Sequence, residues 1–213
     1  MTEDPFHSLA EKYDSWYEGK GKLAFESELA ALRSLLPGLP KPWLEVGVGT
    51  GRFAEALGIE QGIDPSEELL RFARERGVNV VWGEGEEMPF PTGGFGTVFL
   101  LTTWAFLEDP AAVLRECRRV LKPSGVLVNG YLDRDGNWGK GYVERGRQGH
   151  ELFAHARFAS CAEVVSATEQ AGFKVTGTTS ALFSGPGEAG SAEEPRDGFV
   201  RGASFVIVTA ERD

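Results

Sequence analysis

Apolar positions along the chain change their period twice. Over residues 22–36, Leu23, Phe25, Leu29, Leu32, Leu35 and Leu36 recur, the later ones at helical spacing, which predicts a helix with one buried face. Pro37, Pro40 and Pro42 stop it. From residue 43 short apolar runs alternate with helical stretches. Strands are expected at 43–46, 58–64, 78–82, 97–101 and 126–131. Helical segments are expected from Phe53 to Leu57, after Ser66, and over 109–121, where Ala112, Val113, Leu114, Cys117, Val120 and Leu121 oppose Arg115, Glu116, Arg118 and Arg119. Asp109-Pro110 opens the last of these, with proline at the first helical position. Such alternation predicts an α/β domain with a doubly wound, mostly parallel sheet.

Past residue 131 the pattern loosens. Residues 133–158 are polar and glycine-rich, with Trp138, Tyr142, Phe153 and Phe158 scattered through them. A helix follows from Ser160 to Ala171, capped by Ser160 and ended by Gly172. Phe173 begins a sixth strand, and residues 202–210 form the last. No crossover helix joins these two, so they must run antiparallel. The glycine- and acid-rich stretch between them, 185–198, is expected to be a mobile loop. No repeat or linker marks a second domain, so one domain over 1–213 is expected.

Composition narrows the partners. At 213 residues, 41% hydrophobic and 25% charged, the chain can bury one good core. Its net charge of −10 repels nucleic acid and anionic membranes, leaving a small molecule as the expected partner. No run approaches the roughly 20 apolar residues that span a bilayer. Met1-Thr2-Glu3-Asp4-Pro5 is acidic and lacks the apolar core of a secretory signal. Cys117 and Cys161 are far apart and give neither metal spacing nor a disulfide framework, so a cytoplasmic setting is expected. Oligomeric state is not legible.

The chemistry concentrates after the first strand, in Glu45, Gly47, Gly49 and Gly51. Alternate glycines let the chain turn tightly with positive φ and let a ligand lie on bare backbone. The helix starting near Thr50 points free N–H groups at that ligand. A dinucleotide fingerprint would need its third glycine at position 52, which is Arg52. A tight turn without a ligand fits the same residues. Asp64 ends the second strand, where an acid can grip both hydroxyls of a ribose or simply cap the next helix.

The E-x-G-x-G-x-G run from Glu45 to Gly51 resembles motif I of the class I S-adenosylmethionine-dependent methyltransferases. Gly83-Glu84-Gly85-Glu86-Glu87-Met88-Pro89-Phe90 resembles the G-D-A-x-x-L-P-F segment of the type 11 branch that includes the quinone-biosynthesis methylases. The chain departs from it with Glu84 for Asp, and with Gly96 where an acid usually begins strand four. Residues 109–125 match D-P-x-x-x-L-x-E-x-x-R-V-L-K-P-x-G, the most specific segment after motif I. The Tyr13-Asp14-Ser15-Trp16-Tyr17 stretch is similar to the lid before the first core helix in small members; an arm packed on the core is the alternative.

The resemblance implies a Rossmann-like sheet of seven strands with one antiparallel edge strand. It implies S-adenosylmethionine as cofactor, S-adenosylhomocysteine as product and a small-molecule methyl acceptor. It places at the cofactor Tyr13, Trp16, Glu45, Gly47, Val48, Gly49, Gly51, Arg52, Asp64, Pro65, Ser66, Glu84, Gly85, Glu86, Thr102 and Thr103. Residues 1–21 would form an arm or lid and 133–158 a variable acceptor-site insertion. No catalytic residue is assigned, since a sulfonium already carries a good leaving group and the protein mainly aligns and excludes water. His150 and His155 could serve as a base or be packed; too few ligands surround them for a metal. Two rivals stay open: a cofactor binder of the same fold that transfers nothing, and a nicotinamide-dependent oxidoreductase, which Arg52 and the glycine spacing argue against.

Overall fold

The computed structural model describes residues 9–212. Its strands are β1 (Trp43–Val46), β2 (Gln61–Asp64), β3 (Asn79–Trp82), β4 (Phe95–Leu101), β5 (Leu121–Leu132), β6 (Phe173–Ala181), β7 (Arg196–Asp197) and β8 (Phe205–Arg212). They form one sheet in the order β3-β2-β1-β4-β5-β8-β6-β7. β1 to β5 pair in parallel, and β8 runs antiparallel to both β5 and β6.

This is the expected Rossmann-like class with two differences. The two-residue β7 is an eighth strand, and it occupies the edge beside β6. The long reversed strand, β8, lies inside the sheet instead of at its edge. Burial explains the placement. Residues 205–208 and 210 of β8 are all buried, and such a continuous apolar run suits a strand covered on both faces. β6 carries exposed Lys174 and Thr176, which suit the outer position.

Among the described residues, seven α-helices flank the sheet: α1 (Ala10–Trp16), α2 (Lys22–Leu35), α3 (Arg52–Leu57), α4 (Glu67–Glu75), α5 (Pro110–Val120), α6 (Asn137–Arg147) and α7 (Cys161–Gln170). Strand alternation distributes them. Phe99 and Leu101 of β4 join a core with residues of α2, α3, α4 and α6, while Val98 and Leu100 join a second core with α5 and α7. Asp109 accepts from the Ala112 amide at 3.0 Å to start α5, and Ser160 and Glu163 make a reciprocal capping box on α7. β5 begins five residues earlier than the pattern indicated, because Leu121 already pairs with Phe95 before a register shift.

The polar segment after β5 contains a helix that apolar periodicity did not reveal. In α6 only Trp138 and Tyr142, four apart, and Gly139 are buried. Gly139 is needed there, since a Cβ would lie 2.0 Å from the Asp133 carbonyl oxygen. The 185–198 loop is pinned rather than free. The Glu193 carboxylate accepts from the amides of Phe183 and Ser184 and from the Ser184 hydroxyl, and the Glu193 amide donates to Ser27 Oγ at 2.9 Å. Among the described residues no helix is long and apolar enough to cross a membrane.

The α5 core sets a stability expectation. Leu114 is fully buried between α5 and the sheet. Leu114→Ala should cost about 2–5 kcal/mol, read as a lower urea midpoint with an unchanged slope. A loss below about 0.5 kcal/mol would mean the helix does not pack as described.

Candidate active site

The glycine turn is built from β1 outward. The amides of Gly47 and Val48 donate to the Ile63 carbonyl at 2.8 and 3.1 Å, and Gly51 closes the turn onto the Val48 carbonyl at 2.9 Å. All three glycines have positive φ: 73°, 52° and 79°. They differ in what lies beyond the missing side chain. A Cβ at Gly47 would fall 2.3 Å from the Thr103 side chain, and one at Gly51 2.9 Å from Ala73. At Gly49 the nearest atom is Leu69 Cδ1 at 3.9 Å. Gly47 and Gly51 therefore serve the protein's own packing, whereas Gly49 opens onto space.

Asp64 spans the turn. Its Oδ2 accepts from the Gly49 amide at 2.8 Å and its Oδ1 from the Ser66 amide at 2.9 Å. Each carboxylate oxygen has a second lone pair beyond these bonds. Ser66 occupies the N-cap position of α4, but its hydroxyl makes no cap bond and is buried without a partner among the described residues, contrary to the expected capping role. Glu45 is buried beneath the turn, and its Oε2 also has no partner there. Burial first, and the charge of Asp64 second, raise its carboxyl well above the usual range; a backbone bond from Ala54 offsets little of this.

Arg52, at the first position of α3, turns toward the N-terminal arm. Its Nε donates to Asp14 Oδ1 at 2.9 Å, and its Nη2 donates to Asp14 Oδ2 at 2.5 Å and to Glu18 at 2.8 Å. Arg76 adds a bond to Asp14 at 2.9 Å and another to the Thr50 carbonyl at 2.8 Å. Burial opposes the Asp14 charge, but these partners outweigh it and hold the carboxyl below its ordinary value. The clamp fixes α1 against the helix end that follows the turn. On α1 the Tyr13 and Tyr17 hydroxyls lie 2.8 Å apart, and Trp16 meets Tyr17 and Trp138 edge-on. Residues 1–8 of the arm lie outside the described residues.

The C-terminal end of β4 faces the turn. Thr102 has a φ of 55° and donates its amide to the Gly130 carbonyl at 2.7 Å. The Thr103 hydroxyl lies 3.1–3.3 Å from the carbonyls of Val46, Gly47 and Leu101, so it joins β1 to β4. Glu84 is exposed, and Gly85 sits so close to Val46 and Val113 that a Cβ would meet both within 3.3 Å. Glu86 follows, half-buried. The Pro65 carbonyl accepts from the Trp82 indole at 2.8 Å, and Trp82 is 62% exposed. Sequence reading placed Trp82 only in a strand; its register partner, Asp64, is the signal that puts it beside the turn.

A cavity of about 190 Å³ opens alongside. Tyr13, Trp16 and Tyr17 wall it from the arm, Thr102 and Trp104 from β4, Tyr131 from β5, and Tyr142, Phe153 and Phe158 from the 133–158 segment. Thr102 thus joins this cavity, while Thr103, next in sequence, touches Gly47. Lys12, Arg145, His150 and Glu151 also line it. Lys12 pairs with Glu151 at 3.7 Å, Arg145 lies over Tyr142, and His150 stacks on Phe153 with Nδ1 accepting from the Leu152 amide. His155 is not part of the lining.

Glu28 of α2 also faces this cavity and was missed in the sequence. It is 3% exposed, and no hydrogen bond or ion pair reaches its carboxyl from the described residues. Burial pushes that carboxyl up to about 8. The signal was present: Glu28 falls between Phe25 and Leu32 at spacings of three and four, on the apolar stripe of its own helix.

Comparisons with known proteins bear on this arrangement. The family described as "Methyltransferase domain" matches residues 44–129. An uncharacterized protein of Mycobacterium tuberculosis is 42% identical over 94% of this chain and 71% of its own length. The crystal structure of a Thermotoga maritima SAM-dependent methyltransferase, described as a possible histamine N-methyltransferase, superposes with a TM-score of 0.91. It is 34% identical, over 98% of this chain and 99% of that one. A malonyl-[acyl-carrier protein] O-methyltransferase of Methylococcus capsulatus is 32% identical over 48% of this chain and 41% of its own length.

The cavity carboxyl makes a pH prediction. In the unfolded chain Glu28 releases its proton near about 4.3, but in the folded chain only near 8. The folded state therefore loses stability as pH rises between these values. Relative to wild type, Glu28→Gln should gain about 5 °C or more in Tm between pH 4 and pH 8. Parallel Tm curves for the two proteins would contradict the burial of this group.

Proposed function

We propose that this chain, which belongs to the class I, type 11 S-adenosylmethionine-dependent methyltransferases and uses S-adenosylmethionine as its cofactor, methylates a small-molecule acceptor held in the aromatic cavity. The observation that carries the reading is the open cradle at Gly49, whose amide Asp64 holds, with Thr102 of the cavity wall next in sequence to Thr103, which bonds the Gly47 carbonyl. Tyr13, which lines the cavity, senses the charges of both Asp64 and Glu28.

The residues present fit the cofactor on two counts. A Cβ at Gly49 would fill the space left for it, and Glu45 holds an unpartnered buried oxygen under the same turn. When bound, S-adenosylmethionine supplies a methyl group activated by its sulfonium. The backbone of Gly47, Val48, Gly49 and Gly51 would receive its amino-acid end. Asp64 would meet the ribose hydroxyls. Pro65 and Ser66 would flank the ribose, and Glu84, Gly85 and Glu86 the adenine.

Arg52 acts through Asp14, by seating the arm that carries Tyr13 and Trp16. Thr103 acts by fixing the turn to β4, and Thr102 borders the acceptor. In this reading the described part of the arm, residues 9–21, is the lid and residues 133–158 the acceptor wall. Ring faces on both segments exclude water from the acceptor, which strengthens every polar contact made there.

Two measurements test this reading. Gly49→Val should abolish S-adenosylhomocysteine binding in calorimetry, by entering the cradle and by straining a turn held at a φ of 52°, while the far-ultraviolet circular dichroism keeps its native helix and strand content because no core atom is met. Unchanged affinity would sink the assignment of the turn. Amides in residues 9–20 should gain hydrogen-exchange protection when S-adenosylhomocysteine is added. Equal protection with and without it would make α1 a fixed part of the core and not a lid.

A further inference from the structure

Glu28 has no place in the cofactor machinery. It stands on the apolar stripe of α2, where an aliphatic side chain would pack, and its carboxyl faces the cavity. The groups that face it are known. The Tyr13 and Tyr17 hydroxyls come from α1 and the Tyr142 hydroxyl from α6, and each of the three senses its charge. Lys12, Arg145, His150 and Glu151 also line the cavity. The two basic side chains are engaged elsewhere, Lys12 with Glu151 and Arg145 with the Tyr142 ring. No cation of the described chain reaches Glu28.

A carboxylate walled in by rings and lacking a counter-ion is costly to keep. It becomes favourable when a ligand brings the counter-ion. Trp16, Tyr17, Tyr142 and Phe153 add aromatic walls, which would bury the apolar body attached to a cation seated at Glu28. An anionic acceptor would meet the Glu28 charge across an aromatic-lined cavity, which disfavours it. A neutral alcohol would leave the carboxyl without a charged partner.

We propose that the acceptor is an amine with an apolar or aromatic body, and that Glu28 selects it and takes the proton from its nitrogen. The inference rests on the methyltransferase reading. An ammonium has no lone pair and cannot accept a methyl group. Transfer of its proton breaks an N–H bond, leaves the electron pair on nitrogen and forms an O–H bond on Glu28. The free amine is then the nucleophile, and the Glu28 proton passes to solvent when the cavity reopens. A carboxyl raised by burial is the better matched base for an amine than one in water.

The test uses the full chain saturated with S-adenosylhomocysteine and matched probes of one shape. 2-Phenylethylamine and tryptamine are titrated beside 2-phenylethanol, tryptophol and phenylacetate by calorimetry at pH 8. At least one amine should bind about tenfold or more tightly than its alcohol, and phenylacetate should not bind. Glu28→Gln should remove that preference and leave alcohol and S-adenosylhomocysteine affinities within about twofold of wild type. Glu28→Asp should restore part of it. With S-adenosylmethionine, Glu28→Gln should lower kcat for the amine as well as raise KM, and the fall should ease at high pH, where free amine is abundant. Binding of neither amine, equal binding of amine and alcohol, or an unchanged preference in Glu28→Gln would overturn the proposal. Loss of S-adenosylhomocysteine binding by the wild type would instead overturn the methyltransferase reading beneath it.

Discussion

The carboxylate of Asp64 accepts the Gly49 amide on one oxygen and the Ser66 amide on the other. These two bonds hold the glycine turn against the end of β2 and the entry to α4. They also spend two backbone donors that would otherwise point into the site unpaired. The turn's conformation, the opening at Gly49 and the position of Pro65 all follow from this arrangement. Thr103 completes it from the other side by bonding the carbonyls where β1 runs into the turn. The cradle is rigid because each wall is tied to a different strand.

A second tie runs from the turn to the arm. Arg52 and Arg76 converge on Asp14, so the chain segment that walls the cavity is fastened to the helix that begins at the turn. Two nearly buried guanidinium groups on one carboxylate make a geometry-specific contact, with bidentate bonding from Arg52. Whatever alters the α3 end is felt by Tyr13 and Trp16. The glycine turn and the aromatic cavity thus both depend on where α1 is seated.

Much of this was legible in the sequence, for physical reasons. The βα alternation and the glycine spacing are local signals, and both carried through to β1–β5 and the turn. The place of β8 was not local: it depends on which strand gains most from burial on both faces, and 205–208 and 210 outcompete the half-polar β6 for that position. α6 escaped because its glycines dilute the period and only Trp138, Tyr142 and Gly139 are buried. Arg52 read as a cofactor neighbour because it follows the motif, and only the fold reveals Asp14 beside it. Glu28 was not singled out among the residues of its helix. Its position on the apolar stripe was visible, but what lies opposite that stripe was not.

The sheet's rims carry a consequence for how the molecule behaves in company. One rim is β3, four residues long, and the other is β7, only two. β7 pairs with Thr179 and Ser180 alone. The remainder of β6 presents Lys174 and Thr176, and a lysine there must lose water before a foreign strand can dock. Neither rim offers a long flat ladder for a neighbour to extend. A foreign strand therefore finds only short or lysine-guarded stretches to extend at either rim.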